Sequence, residues 1–249
     1  MTSRSHPTAC PHRLPPNPRT CFNTATKGGI KGILNSTAYT AAEKRRAKPK
    51  LGRVAKASFT RQALFRAAAY IVGKRGYSDA SVSLITQRAK VAQGTFYKHF
   101  ENRQALLDSL LPACGDQMLA YLRRRIPRDA PLPQQEEESF LAFFEFLAEN
   151  PGFHRVMNEA EFFAPEGHRR HGETLHSKYL RVLQKAWRRG ELPGYDEHEL
   201  GVVAQVLIAL RRSVSMRFAQ SDGKIRPPPA EVTRTILKFL SHGLFGSGR

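Results

Sequence analysis

An all-α fold follows from three observations: apolar residues recur at intervals of three and four from Thr60 to about His242, no strand-like alternation of convincing length interrupts them, and Gly and Pro fall at the ends of the periodic runs. The 249 residues suit one small domain joined to a larger one. The divisions expected are a disordered basic extension over 1–58, a three-helix head over 59–111 and a larger helical domain over 112–249.

The extension is rich in Pro, Thr, Asn, Gly, Arg and Lys without apolar periodicity, so burial cannot offset the entropy of ordering it. Its basic run Lys44 to Lys50 reads either as an arm along phosphates or as a solvated tail, and an over-long start is a third reading. From Thr60, Ala63, Leu64, Ala67, Ala68, Ile71 and Val72 mark a first helix, which Gly76 closes as a left-handed cap. Ser81 caps a second, short helix with Val82, Leu84, Ile85 and Ala89 on one face. A break at Lys90-Val91-Ala92 leads into a third helix, in which Phe96 and Phe100 point one way. Leu106, Leu107, Leu110 and Leu111 open a fourth that Pro112 is expected to interrupt or bend.

Beyond it, Met118 to Ile126 continues as helix up to a Pro127–Pro133 loop. Gln134 to Glu149 carries apolar residues on more than one face and is expected to be buried nearly all round. Pro151 and Gly152 precede a helix over Phe153 to Phe163, Pro165 a long amphipathic one through Trp187 that Gly190 caps, and two more are expected over Glu197 to Ala219 and Pro229 to His242.

The net charge of +19 is uneven: 12 Lys/Arg against one acidic residue over 1–59, 8 against 3 over 60–112, and 20 against 17 thereafter. A polyanion would profit from counterion release at the amino-terminal half, while the carboxy-terminal half is near neutral. Three cysteines, Cys10, Cys21 and Cys114, cannot all pair within the chain, which fits a reducing compartment. With neither a membrane-length apolar run nor a secretory signal in the sequence, a cytoplasmic location is expected. No phosphate-binding glycine loop, Gly-x-Ser-x-Gly elbow or His-Glu-x-x-His occurs, and Glu136-Glu137-Glu138 reads as a solvated helix start, so catalysis is not expected.

With Phe96 and Phe100 turned inward, Gln93, Thr95, Lys98 and His99 are left outward on the third helix, a face suited to base edges and phosphates. The segment reads as a DNA-binding helix-turn-helix. Its run Gly94-Thr95-Phe96-Tyr97-Lys98-His99-Phe100-Glu101-Asn102-Arg103-Gln104-Ala105-Leu106-Leu107 resembles the TetR family of transcriptional regulators over about Thr60 to Leu111. Two departures stand out: Lys90 where the family has a turn glycine, which requires a positive backbone dihedral of a non-glycine residue, and Ala92 where it has a Ser or Thr cap. The resemblance implies Gln93, Thr95, Lys98 and His99 at the major groove, with packing the other reading for His99, Tyr97 and Arg103 on phosphates, and Ser81, Thr86 and Arg61 as further backbone contacts. Gly94 permits close approach to the DNA.

The same resemblance implies a helical ligand-binding and dimerisation domain, hence a homodimer on a palindromic double-stranded operator, with repression the commoner outcome. Leu200, Val203, Leu207, Leu210, Ile236 and Leu240 are candidates for the dimer interface, with filling of the subunit core as the other reading. Phe143, Phe144, Phe153, Phe162, Tyr179 and Trp187 are candidates to line a pocket for a small apolar or amphipathic effector, with Arg155, Glu159, Glu161 and His168 as polar partners and plain core as the other reading. His168 and His171 share a helical face, but two histidines without a fixed third ligand do not make a metal site. Neither metal nor cofactor is expected. A weakly specific nucleoid-type or accessory DNA-binding protein, driven by the basic tail, is the competing reading.

Overall fold

The computed structural model describes residues 53–221 and 224–243. Most of the expected basic extension, with Cys10 and Cys21, lies outside them. The first helix, α1 (Arg53–Arg75), begins ahead of Phe59, so residues 53–58 are helical. Ala55 to Ser58 are exposed, so that turn carries no inward apolar residue by which periodicity could reveal it. Gly76 ends α1 at φ 92°, as its position predicts.

Two short helices follow, α2 (Val82–Ala89) and α3 (Gln93–Phe96), then α4 (Arg103–Arg125). Leu64, Ala68, Ile85, Phe96, Leu106 and Leu107 are fully buried where these helices meet. Each such Leu, Ile or Phe contributes about 1.5–3 kcal/mol by leaving water. The expected interruption at Pro112 does not occur: α4 runs through it, joining head to body. A proline has no N–H for the carbonyl four residues back, here that of Asp108. Arg170 supplies the missing donor, its Nη2 lying 2.9 Å from the Asp108 oxygen.

The body comprises α5 (Leu132–Glu149), α6 (Pro151–Phe163), α7 (Pro165–Arg188), a 3₁₀ turn (Glu197–Glu199), α8 (Leu200–Phe218) and α9 (Ala230–Gly243). Between α8 and α9, β1 (Gln220–Ser221) and β2 (Lys224–Ile225) pair antiparallel, a ladder too short for any alternation to announce. The molecule is all-α in class. One core runs continuously from the head through α5 and α6, and a second unites α7, α8 and α9 around Leu183, Leu200, Leu207 and Leu240. No helix among the described residues is long and apolar enough to cross a membrane.

Candidate nucleic-acid interface

The turn between α2 and α3 is held by the backbone. Ser81 Oγ accepts from the Leu84 amide at 3.3 Å, starting α2 as its cap. Lys90 then takes φ 57° and ψ 44°, the left-handed conformation that the sequence requires of it, and the amides of Lys90 and Val91 return to Gln87 and Thr86. Ala92 starts α3 with no side-chain cap.

The polar face of α3 and the turn after it is open. Phe96 is 0 % exposed and Phe100 4 %, Phe100 edge-on to Phe65 at 5.4 Å. Gln93, Gly94 and Lys98 are exposed, Tyr97 is 57 % exposed, and Thr95 and His99 are half-buried. A Cβ placed on Gly94 would meet nothing within 4 Å, so that position leaves the approach to a ligand clear. Two buried rings thus fix a short rod whose outward side chains are free amide, ammonium and phenol groups. Groups of that chemistry are able to hydrogen-bond to base edges and phosphate oxygens.

Three residues expected on the DNA backbone also make bonds within the protein. Arg103 donates from Nε to the Ala80 carbonyl at 2.8 Å, and from Nη2 to those of Ser78, at 3.2 Å, and Tyr77. It staples the α1–α2 loop to the start of α4 through Nε and Nη2. Thr86 is buried, its hydroxyl donating to Val82 O at 2.8 Å and Ser83 O at 3.1 Å within α2. Arg61 lies over the Phe100 ring at 4.6 Å and donates to His99 O at 3.4 Å, clamping the far end of the recognition segment. Ser81, though exposed, has its oxygen engaged as the α2 cap.

The head is bonded to the body by polar contacts that periodicity does not reveal. The Tyr77 amide donates to Glu159 Oε2 at 3.1 Å and its hydroxyl to Val156 O at 3.2 Å, while Arg155 pairs with Glu159. Burial drives the Tyr77 phenol pKa far up, with nearby Cys114, Glu159 and Asp108 adding to it, so it stays a donor. Gln104 donates to Phe163 O at 2.9 Å, and the Gly167 amide to Asp108 Oδ1 at 3.1 Å.

Within the body, the six proposed lining residues do not share a wall. Phe143, Phe144 and Phe153 are buried in the first core, whereas Tyr179 and Trp187 flank the second, with Trp187 Nε1 donating to Tyr195 O at 2.8 Å. Phe162 is 79 % exposed. The candidate dimer residues Leu200, Val203, Leu207 and Leu240 are buried inside the subunit, and Leu210 and Ile236 are half-buried against its cores. The outward stripe of α8 consists instead of Val202, Val206 and Met216, with Phe239 exposed on α9. Glu136, expected in solvent, is buried. It accepts from Arg211 Nη2 at 2.7 Å and from the Tyr179 hydroxyl at 2.5 Å. The signal was present: Glu136, Phe140 and Phe143 lie on one face of α5, and Arg211 follows Leu207 and Val203 on one face of α8. His171 packs on Gly115, and burial pushes its pKa down to about 4. Among the described residues, no three potential ligands come together for a metal.

The sequence profile of the family described as bacterial regulatory proteins, tetR family, matches residues 64–110, the span that holds the buried rings and the outward face. The chain is similar to YdgC, an HTH-type transcriptional regulator of Bacillus subtilis, at 22% identity over 76% of this chain and 94% of that one. Its fold is that of a TetR-family regulator from Rhodococcus sp. (TM-score 0.64, 21% identity, 76% of this chain and 99% of the other). FadR of Bacillus subtilis, solved in complex with stearoyl-CoA, shares the fold at TM-score 0.57 and 18% identity, over 75% and 98% of the two chains. With the motif, its buried anchors and the profile coinciding on the same helices, residues 64–110 carry a helix-turn-helix of the kind found in the bacterial regulatory proteins of the tetR family.

Proposed function

We propose that this regulator is a ligand-responsive repressor that binds a palindromic operator as a homodimer in the cytoplasm, with residues 59–111 reading DNA and 112–249 sensing the effector and dimerising. The observation that carries the DNA half is the recognition segment, in which Phe96 and Phe100 are buried while Gln93, Tyr97 and Lys98 project from it. Gln93 and Lys98 read bases and Tyr97 takes a phosphate. Val202, Val206 and Met216 of α8 with Phe239 of α9 form the apolar surface on which a second copy docks. A two-fold pair presents two recognition segments to successive major grooves, about 34 Å apart.

The effector is a small apolar or amphipathic molecule. The stearoyl-CoA complex of the Bacillus subtilis FadR, similar in fold, supports that class. An effector that favours, by about 3 kcal/mol, a conformation with another spacing of the two recognition segments lowers operator occupancy on the order of a hundredfold. Selection of bound sequences from a random duplex pool tests the DNA half, with two-fold symmetric enrichment expected. Binding insensitive to sequence, and lost when residues 1–50 are removed, would instead make this an accessory DNA-binding protein. Sedimentation of the full chain beside Val206→Arg tests the pairing surface, with a dimer expected only of the former.

A further inference from the structure

Acidic residues are absent from a long stretch that ends inside the head. None occurs between Glu43 and Asp79, while Lys44, Arg45, Arg46, Lys48, Lys50, Arg53 and Lys56 crowd its beginning. Residues 44–52 lie outside the described ones, but the element to which they are joined does not: α1 begins at Arg53.

That end of α1 overhangs the head. Ala55 to Phe59 are all exposed, Phe59 at 60 %, so the first turns bury no face against another helix. Contacts farther along α1 fix where the overhang stands. Gly73 lies against Gly152 of α6, in the body. Twelve residues earlier, about 18 Å along the helix, Arg61 covers the Phe100 ring and donates to His99 O, at the end of the recognition segment. Arg53 is eight residues, about 12 Å, farther still. The helix thus runs from the body past the recognition segment, and its first residue projects on the side away from the body.

Charge decides what this end fits. Cations at the amino end of a helix oppose its dipole, and α1 has no acidic residue in its first turn to offset them. A duplex seated on Gln93 and Lys98 brings a line of phosphates to the same end of the head. The nine residues 44–52 span at most about 30 Å, the length of about nine base pairs, so the five cations from Lys44 to Lys50 stay within reach of that duplex.

We propose that residues 44–56 form a second DNA contact, an arm of cations along the phosphates beside the half-site read by Gln93 and Lys98. Ammonium and guanidinium groups neutralise phosphates wherever these fall, so the arm adds affinity and no base preference. The inference rests on the DNA-binding reading above and extends it beyond the helix-turn-helix.

The test compares full-length proteins on a duplex enriched from the random pool and on a scrambled one, with binding measured from about 50 to 200 mM salt. K44Q/R45Q/R46Q/K48Q/K50Q removes five charges from the arm. R4Q/R13Q/R19Q/K27Q/K31Q removes the five that precede it and controls for net charge. Each phosphate contact adds about 0.9 to the slope of log affinity against log salt, so the arm variant is expected to be shallower by about 3–4.5 on both duplexes. Lys56→Gln, altering one exposed side chain of α1, is expected to be shallower by about 1, and the control to keep the wild-type slope. Hydroxyl-radical footprints of the wild type are expected to show protected backbone beside the half-site that the arm variant leaves open. An arm variant with the wild-type slope or footprint, an equal loss in the control, or an enriched sequence that changes with the arm overturns the proposal. If the pool yields no symmetric sequence, the operator reading fails while slopes on the scrambled duplex still decide the arm. Failure of the wild type to bind any duplex overturns both.

Discussion

Gly167→Ala tests the joint between α4 and α7. A Cβ on Gly167 would overlap the Asp108 carbonyl oxygen and stand 2.8 Å from its carbon and 2.9 Å from Cα, all of them backbone atoms that cannot rotate aside. The helices must part, and overpacking of that kind costs about 1–3 kcal/mol. Parting also stretches the Gly167 amide bond to Asp108 Oδ1, now 3.1 Å, and the Arg170 bond to Asp108 O, now 2.9 Å. Each contributes about 0.5–1.5 kcal/mol. Against this, alanine gains about 0.5–1 kcal/mol over glycine within a helix. The balance is a loss of about 2 kcal/mol, seen by calorimetry as a Tm lower by about 4–8 °C in a domain of this size. Gly172, on the same helix, is the control, since a Cβ there meets nothing within 4 Å. Gly172→Ala is expected to be stabilised by about 0.5–1 kcal/mol. If Gly167→Ala melts as high as Gly172→Ala, the close contact at Asp108 does not hold the helices together.

Acid weakens the fold through His171, whose pKa of about 4 lies below the ordinary 6.5. The unfolded chain takes the proton first, so stability falls as pH drops from about 6.5 toward 4 and then levels, by about 2 kcal/mol between pH 7 and 5. Urea titrations at those two pH values check it, and a slope unchanged in His171→Gln would assign the effect elsewhere. Lys90→Gly relieves about 1–2 kcal/mol of left-handed strain and loses about 0.5–1 kcal/mol to glycine's freedom, for a higher Tm. A lower one would mean the turn is not strained. Gln93→Ala and Lys98→Ala each weaken operator binding at unchanged Tm, on the order of tenfold per lost base contact, whereas Arg103→Ala lowers Tm. Mobility shifts paired with melting curves separate the two, and a Gln93→Ala protein with full operator affinity counts against base reading.

The parts of the head that sequence made legible are those governed by local rules. Phe96 and Phe100 follow helical periodicity, Ser81 caps by residue type, and Lys90 is left-handed because a helix must end there without glycine. Arg103 escaped because its partners are carbonyls of a loop more than twenty residues earlier, and only the folded path of the chain brings them over α4. Thr86 escaped because a hydroxyl in mid-helix satisfies itself locally. In α8 two apolar stripes compete, Val203 with Leu207 and Val202 with Val206, and which one faces inward is decided by where α7 and α9 lie. The glutamate run looked solvated because composition averages over faces, whereas α5 turns Glu136 inward and exposes its neighbour Glu137.

Asn158 and Glu159 are adjacent on α6, about 100° apart around it, so one faces the His154 ring while the other accepts from the Tyr77 amide at 3.1 Å. Tyr77 also returns its hydroxyl to Val156 on the same helix, and its carbonyl to Arg103 at the start of α4. The path from the carboxy-terminal body to the recognition segment is therefore short and made of directional bonds: α6, Tyr77, Arg103, then α4 behind Phe96 and Phe100. Gly73 and Gly152 approach so closely that a Cβ on Gly73 would lie 2.5 Å from Gly152 Cα, which leaves α1 and α6 no side chains between them to absorb a displacement. A rotation of α6 pulls on Tyr77 through Glu159 and Val156 together. The head must then follow the helix or break bonds at its base, and in the proposed dimer both outcomes alter the spacing of two recognition segments on one operator.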